Sequence, residues 1–356
     1  MECPRCSEVA PVGAKWCEAC GADLSAEPQL PCVSCGDRDI SYDGYCMSCG
    51  HKQPEERDHM VFEAGATVAI TDRGLRHRHN EDAAAVGQLP GGGAVLVVCD
   101  GVSSTPGSAE ASLAAATAAR DLLIERLGSS NGASGGSGPT LSDGPSPTGT
   151  GAGDRIAEAL VASAEVAQAM AAASPEVVSN APHSQGGPPS STFVAAIGRP
   201  VDGGTEVSVA WLGDSRAYWI EGADAVQLTA DHELRGSLTR WLGADSLDTH
   251  PDVARHRSRG AGRLLLCSDG LWRYADPPVE LAALVGRLES DHTTTRALAD
   301  ALVAHAVSRG GHDNITVALW APTTDAGSGQ QQRTHQRRAD AGGGRAGVQE
   351  RGRVDE

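Results

Sequence analysis

Two short stretches constrain this chain more than any others. Residues 95–101 read VLVVCDG and residues 263–270 read RLLLCSDG, each an unbroken apolar run that ends in Asp-Gly. A run of this length without alternation reads as a strand buried on both faces. Such a strand carries its terminal carboxylate, Asp100 or Asp269, to a place where a lone charge is poorly solvated and needs a cation. Two buried strands with the same ending imply two carboxylates delivered to one site.

Other acids hold comparable positions. Glu81 and Asp82 stand just before the apolar stretch 83–86, Asp214 lies in a Gly-Asp-Ser turn, and Asp313-Asn314 precedes a last run, 315–320. Further strands are predicted at 66–71, 191–198, 205–212, 216–220 and 225–228. Short turns between the last four suggest an antiparallel meander with Asp214 at a hairpin tip. Ala-rich helices at 108–127 and 155–173 form a hairpin on a sheet, with the Gly/Ser/Pro-rich segment 128–153 as its flexible tip. Two more helices cover 277–288 and 294–308. Aromatic residues make up only 3% of the chain, so the core must be mostly Ala, Val and Leu.

Asp82, Asp100, Asp214, Asp269 and Asp313 would repel one another in a shared site unless divalent cations hold them. An all-oxygen donor set suits Mg²⁺ or Mn²⁺ better than zinc. Beside these acids runs a basic cluster, Arg73, Arg76, His77, Arg78 and His79. Cations that grip an anion next to carboxylates that grip metal is the layout of a phosphate-processing site.

The N-terminal segment has a separate logic. Eight of the ten cysteines fall there as two copies of one repeat: Cys3, Cys6, Cys17 and Cys20, then Cys32, Cys35, Cys46 and Cys49. Each CxxC turn brings two sulfurs to one ion and a second CxxC completes a tetrahedron. A segment this short cannot bury a core, so two structural Zn²⁺ ions would largely fold it. Disulfides suit a cytosolic chain poorly, and a redox CxxC belongs in a βαβ setting that is missing here. Cys99 and Cys267 read as small core residues.

The motifs NEDA (80–83), VCDG (98–101), GDSR (213–216), LCSDGL (266–271) and GGHDNITV (310–317) resemble, in order, those of the metal-dependent type 2C serine/threonine phosphatases. STFVA (191–195) and LTADH (228–232) are looser matches. The resemblance spans residues 62 to 320. It implies an α+β fold, an α-β-β-α sandwich of two antiparallel sheets flanked by helix pairs, here preceded by two small zinc ribbons. In family terms Asp100 bridges two Mn²⁺ or Mg²⁺ ions, with the Gly101 carbonyl on one of them. Asp269 and Asp313 complete the other, Asp82 binds through the metal shell, and Glu81 supports it. Asp214 joins Asp269 at a third, weaker ion, and Asn314 orients its neighbours. The implied substrates are phosphoserine and phosphothreonine proteins, the counterparts of a bacterial Ser/Thr kinase.

Three departures stand out. The position that usually carries a phosphate-binding Arg holds His77, so His77, Arg76 or Arg78 must grip the phosphate. The glycine-rich turn after the bridging Asp becomes DGVSS, and the flap after DHEL is short. These leave open a second reading, a weak or inactive phosphatase-like module that senses phosphoproteins and docks through its ribbons.

The formal charge of −17 argues against nucleic acid or anionic membrane as a partner. With no apolar stretch of membrane-spanning length and no signal-peptide core, a cytoplasmic protein is expected. The expected organisation is a double ribbon at 1–52 that offers a protein docking surface, a linker at 53–61, the phosphatase-like domain at 62–320 and a disordered tail at 321–356.

Overall fold

A computed structural model describes residues 3, 6–11, 14–21, 30–41, 44–102, 107–128, 152–173 and 187–322. Residues 129–151 of the predicted tip, 323–356 of the predicted tail and Ser103-Ser104 of the DGVSS turn lie outside the described residues, while 128 and 152–153 of the tip belong to helices. No helix among the described residues is long and apolar enough to cross a membrane.

In chain order the first strands are β1 (His59–Ala64), β2 (Thr67–Asp72), β3 (Ala83–Leu89) and β4 (Gly93–Cys99). Helices α1 (Ser108–Gly128) and α2 (Ala152–Ala172) follow. Then come β5 (Ser190–Ser191), β6 (Phe193–Val201), β7 (Gly204–Leu212), β8 (Arg216–Glu221) and β9 (Asp224–Gln227). Three short strands, β10 (Glu233–Leu234), β11 (Ser237–Leu238) and β12 (Leu242–Gly243), lead to β13 (Asp252–Ser258) and β14 (Arg263–Cys267). The chain closes with α3 (Asp269–Trp272), α4 (Pro278–Glu289), α5 (Thr295–Ser308) and β15 (Ile315–Trp320).

Among the described residues, two large antiparallel sheets form besides the two-stranded pairs β10-β11 and β5-β12. One has the order β1-β2-β15-β14-β8-β9 and the other β13-β7-β6-β4-β3. Helices α1 and α2 cover the five-stranded sheet through Ala115, Ala119, Ala164 and Ala167, while α4 and α5 cover the six-stranded sheet through Leu281, Leu284, Leu298 and Leu302. The four-layer sandwich implied by the resemblance is therefore present.

The period-two geometry of strands explains the unbroken apolar runs. In β4, Val95, Val97 and Cys99 face the helices, whereas Ala94, Leu96 and Val98 face the other sheet. In β14, Leu265 and Cys267 face the helices, and Leu264 and Leu266 face between the sheets. The inter-sheet layer is not purely aliphatic: Trp211, Trp219 and Trp320 fill it. Three of the chain's six tryptophans stand where two sheets must be spaced about 10 Å apart.

The four-strand meander is not found. Strands β6 and β7 pair, as do β8 and β9, but β7 and β8 belong to different sheets. Gly213-Asp214-Ser215 is thus the crossover between sheets and not a hairpin tip. Local turn chemistry looks the same in both cases; only the partner strands, β14 for β8 and β13 for β7, distinguish them. Strand β13 itself gave no sequence signal, because it is an edge strand with an exposed, charged pattern. Strand β1 starts at His59, inside the stretch read as connector.

Leu96 is fully buried between the sheets. Leu96→Ala should lower unfolding free energy by about 2–5 kcal/mol, measured by denaturant titration; a change near zero would mean that the inter-sheet layer does not carry the fold.

Candidate active site

The site is the end of the inter-sheet layer where the alternation turns from apolar to polar. Continuing the inward-facing series of each strand by one step reaches Asp100 after Val98, Asp82 before Ala84, Thr192 before Val194, and Thr316 before Ala318. Because Ala83 pairs with Cys99, the next rung sets Asp82 beside Asp100. Thr316 Oγ1 donates to Asp82 Oδ2 at 2.8 Å, and the Asp100 amide donates to Thr192 Oγ1 at 3.0 Å. Thr192 Oγ1 also lies 2.7 Å from Ser215 Oγ, at the sheet crossover.

Asp269 opens the single-turn helix α3 directly after β14, and Asp313 ends the loop before β15. Close backbone approach brings these segments together. A Cβ on Gly101 would stand 2.4 Å from the Glu81 carbonyl oxygen, and one on Gly270 would stand 1.9 Å from that of Asn314. Both Asp-Gly pairs thus need glycine for packing.

Asn314 ties the basic loop to this floor. Its Oδ1 accepts from the Glu81 amide at 2.8 Å, and its Nδ2 donates to the carbonyls of Arg73 and His79 at 2.9 and 3.0 Å. The orienting role expected for Asn314 therefore has a geometric basis.

The electrostatics follow from crowding. Burial raises the carboxyls of Asp82 and Asp269 to about 7, with neighbouring carboxylates, Asp313 in both cases, adding to the rise. Asp100 is pushed well above the usual carboxylate range by burial and then by Asp82, Asp269, Asp214 and Asp313. Burial also raises Asp214. The five acids picked from the sequence therefore do share one electrostatic environment. Asp82 Oδ1 is buried with no hydrogen-bond partner among the described residues. An orphaned buried carboxylate oxygen amid like charges is the signature of a cation-binding site. No three of these acids draw oxygens within 4.8 Å of one another. Three carboxylates on one ion would have to draw closer together than this.

The cationic candidates divide. His77 Nε2 lies 3.0 Å from Asp313 Oδ1, at the acidic cluster. Arg78 points to the second ribbon, its guanidinium 5.6 Å from the centroid of the Tyr45 ring, while its carbonyl accepts from Lys52 Nζ. Arg76 is exposed. Sequence reasoning missed Thr316, Thr192 and Arg273, whose Nη2 lies 2.7 Å from Asp269 Oδ2. The strand alternation could have found the threonines, and the i,i+4 spacing from Asp269 could have found Arg273. Trp272 packs beneath the site in the buried cluster on the helix side of the six-stranded sheet, its Nε1 donating to the Asp214 carbonyl at 3.0 Å.

The cysteine quartets are each gathered within 4.8 Å. The contacts Cys3–Cys20, Cys6–Cys17, Cys32–Cys49 and Cys35–Cys46 measure 3.6, 3.6, 3.7 and 3.5 Å. These are far beyond a disulfide bond and close to the edge of about 3.8 Å that a tetrahedron with Zn–S bonds of about 2.3 Å requires. Ser34 N and Gln53 Nε2 donate to Cys32 Sγ at 3.4 and 3.3 Å. Though burial works against it, such donors bring that thiol down to about 6. The donors fit a thiolate, and so the zinc ribbons.

Residues 73–304 match the family model "Protein phosphatase 2C", and residues 3–50 match "Double zinc ribbon". The chain belongs to the protein phosphatase 2C family. It is 33% identical to the serine/threonine phosphatase stp of Listeria monocytogenes over 147 residues, 36% of this chain and 55% of that protein. The chain thus spans about half the length of the curated relatives it matches. Among solved structures, the serine/threonine phosphatase Stp1 of Staphylococcus aureus is 22% identical, with a TM-score of 0.52, over 76% of this chain and 98% of that one. The serine/threonine phosphatase of S. agalactiae is 19% identical, with a TM-score of 0.51, over 71% and 97%. These likenesses establish the phosphatase 2C fold.

The raised carboxyls give a pH test of the metal-free protein. A folded-state value of about 7 against an ordinary 3.8 means a destabilisation that is complete above about 7 and fades as pH falls toward the ordinary value. The Tm of chelator-treated protein should therefore rise as pH drops from about 8 to about 6, and saturating Mn²⁺ should remove the trend. A flat or opposite trend without metal would mean that these acids are not crowded.

Proposed function

We propose that this chain is a metal-dependent protein phosphatase that hydrolyses phosphoserine and phosphothreonine in proteins phosphorylated by a bacterial Ser/Thr kinase. The observation that carries this reading is the convergence of Asp82, Asp100, Asp214, Asp269 and Asp313 at the polar end of the inter-sheet layer, with Asp82 Oδ1 unpartnered. Asp100, Asp269 and Asp313, with Asp82 and the Gly101 carbonyl, would hold two divalent ions, Mn²⁺ or Mg²⁺, and Glu81 would support them from the rim. When bound, such ions neutralise the phosphate and lower the pKa of an attacking water.

The chain's own residues do the rest. Asn314 fixes the loop 73–81 to the acidic floor through three hydrogen bonds, so that His77 stays beside Asp313. In this reading His77 takes the place of the usual phosphate-binding Arg and donates to a phosphate oxygen. Arg76, exposed on the same loop, meets the anionic substrate as it approaches a protein of strongly negative charge. Thr316 and Thr192 hold Asp82 and the Asp100 backbone so that neither must reorganise during the reaction.

The full chain with Mn²⁺ should release phosphate from phosphothreonine peptides and from phosphoprotein, and a chelator should stop it. Asp100→Asn should cut kcat by about 10³-fold or more. The same change removes a carboxylate that burial disfavours, so metal-free Tm should stay level or rise. Release of phosphate at the wild-type rate by Asp100→Asn would sink the assignment, as would no release at all from wild-type protein. His77→Ala should raise KM more than it lowers kcat.

A further inference from the structure

The resemblance places a third, weaker ion between Asp214 and Asp269. The residues found at that corner do not fit it. Asp269 opens α3, and one turn later Arg273 returns Nη2 to within 2.7 Å of Asp269 Oδ2. The guanidinium draws both the Asp269 and the Asp214 carboxyls down against the burial that raises them. Its position is backed by Trp272, whose Nε1 is bonded to the Asp214 carbonyl at 3.0 Å. The Arg216 guanidinium stacks 3.6 Å from the centroid of the same ring, and Arg273 lies 5.4 Å from it on its exposed side chain. The corner therefore contains a cation of its own, covalently part of the chain.

We propose that the Arg273 guanidinium is the resident cation of the Asp214–Asp269 corner, so that this protein takes two divalent ions in its acidic pocket and excludes a third. Asp269 gives Oδ2 to Arg273 and keeps Oδ1 for the ion pair. A divalent ion on Oδ2 would have to displace this 2.7 Å ion pair and then sit beside the displaced positive charge. Arginine suits this role because it stays charged at any working pH and presents a rigid fork of donors.

This inference rests on the two-ion reading above, and the test separates the two. Mn²⁺ is titrated into the full, zinc-loaded chain by calorimetry and counted independently by the loss of free-Mn²⁺ electron paramagnetic resonance signal. Wild-type protein and Arg273→Lys should bind two ions in the pocket, and Asp214→Asn should leave that count unchanged. Arg273→Asn and Arg273→Ala should each gain one further, weaker ion, with circular dichroism melts confirming that they fold. A third ion on wild-type protein, or an equal count in wild type and both Arg273 variants, would overturn the exclusion while leaving the two-ion reading intact. Fewer than two ions on wild-type protein would take down both.

Discussion

Like charges forced together in a poorly solvated place are what the rest of this molecule has to accommodate. Each of the two sheets ends its inward-facing series in polar side chains at the same end of the sandwich, and the carboxylates there push one another toward the protonated state. Nothing in the fold gains stability from that arrangement. It persists because the apolar layer behind it, from Leu96 and Val98 to Leu264 and Leu266, is buried so completely that the strand ends have no freedom to splay. Strain at a functional site is held there by ordinary packing elsewhere.

The polar groups around the acids divide the work by distance from solvent. Thr71, Thr316 and Asn80 form a buried hydroxyl and amide chain that ends on Asp82 Oδ2. It satisfies one oxygen of the most buried carboxylate and leaves the other for a ligand. Farther out, Asn314 is the joint between the acidic floor and the basic loop. Its amide takes one donor and two acceptors from backbone that has no strand partner of its own. Asparagine is the side chain that can do both at once; aspartate at this position could not donate. An asparagine that looked like a motif letter is therefore a structural part of the site.

How much of this was readable in the sequence follows from which interactions are local. Buried strands announced themselves by unbroken apolar runs, and the acids at their ends by position, so Asp82, Asp100, Asp269 and Asp313 could be grouped before any coordinates. The cysteine repeat was equally plain, since four sulfurs at such spacing leave few alternatives. Pairing across sequence was not readable. Gly213-Asp214-Ser215 has the local chemistry of a hairpin, and only the long-range partners of β7 and β8 make it a crossover. Strand β13 escaped notice because Arg255 and Arg257 protect an exposed edge with charge. Arg273 had a local signal in its i,i+4 spacing from Asp269, but that spacing acquires meaning only with the single-turn helix at 269–272, where no helix was predicted.

The ribbons bear on the site through the same loop. Lys52, at the end of the second ribbon, reaches Glu55 at 3.1 Å and Asp58 at 3.8 Å and donates to the Arg78 carbonyl, while Tyr45 receives the Arg78 guanidinium. Arg73, at the loop's other end, pairs with Asp58 at 3.0 Å and donates to the His77 carbonyl at 2.6 Å. The loop is thus fastened on one side to the second ribbon and the residues after it, and on the other to Asn314. Of the cations that the sequence offered for phosphate, Arg78 is committed to the ribbon by this fastening, and His77 is the one left facing the acids. A ribbon that would look like a detachable appendage from its cysteines alone is, at the level of contacts, part of what sets the orientation of the basic loop.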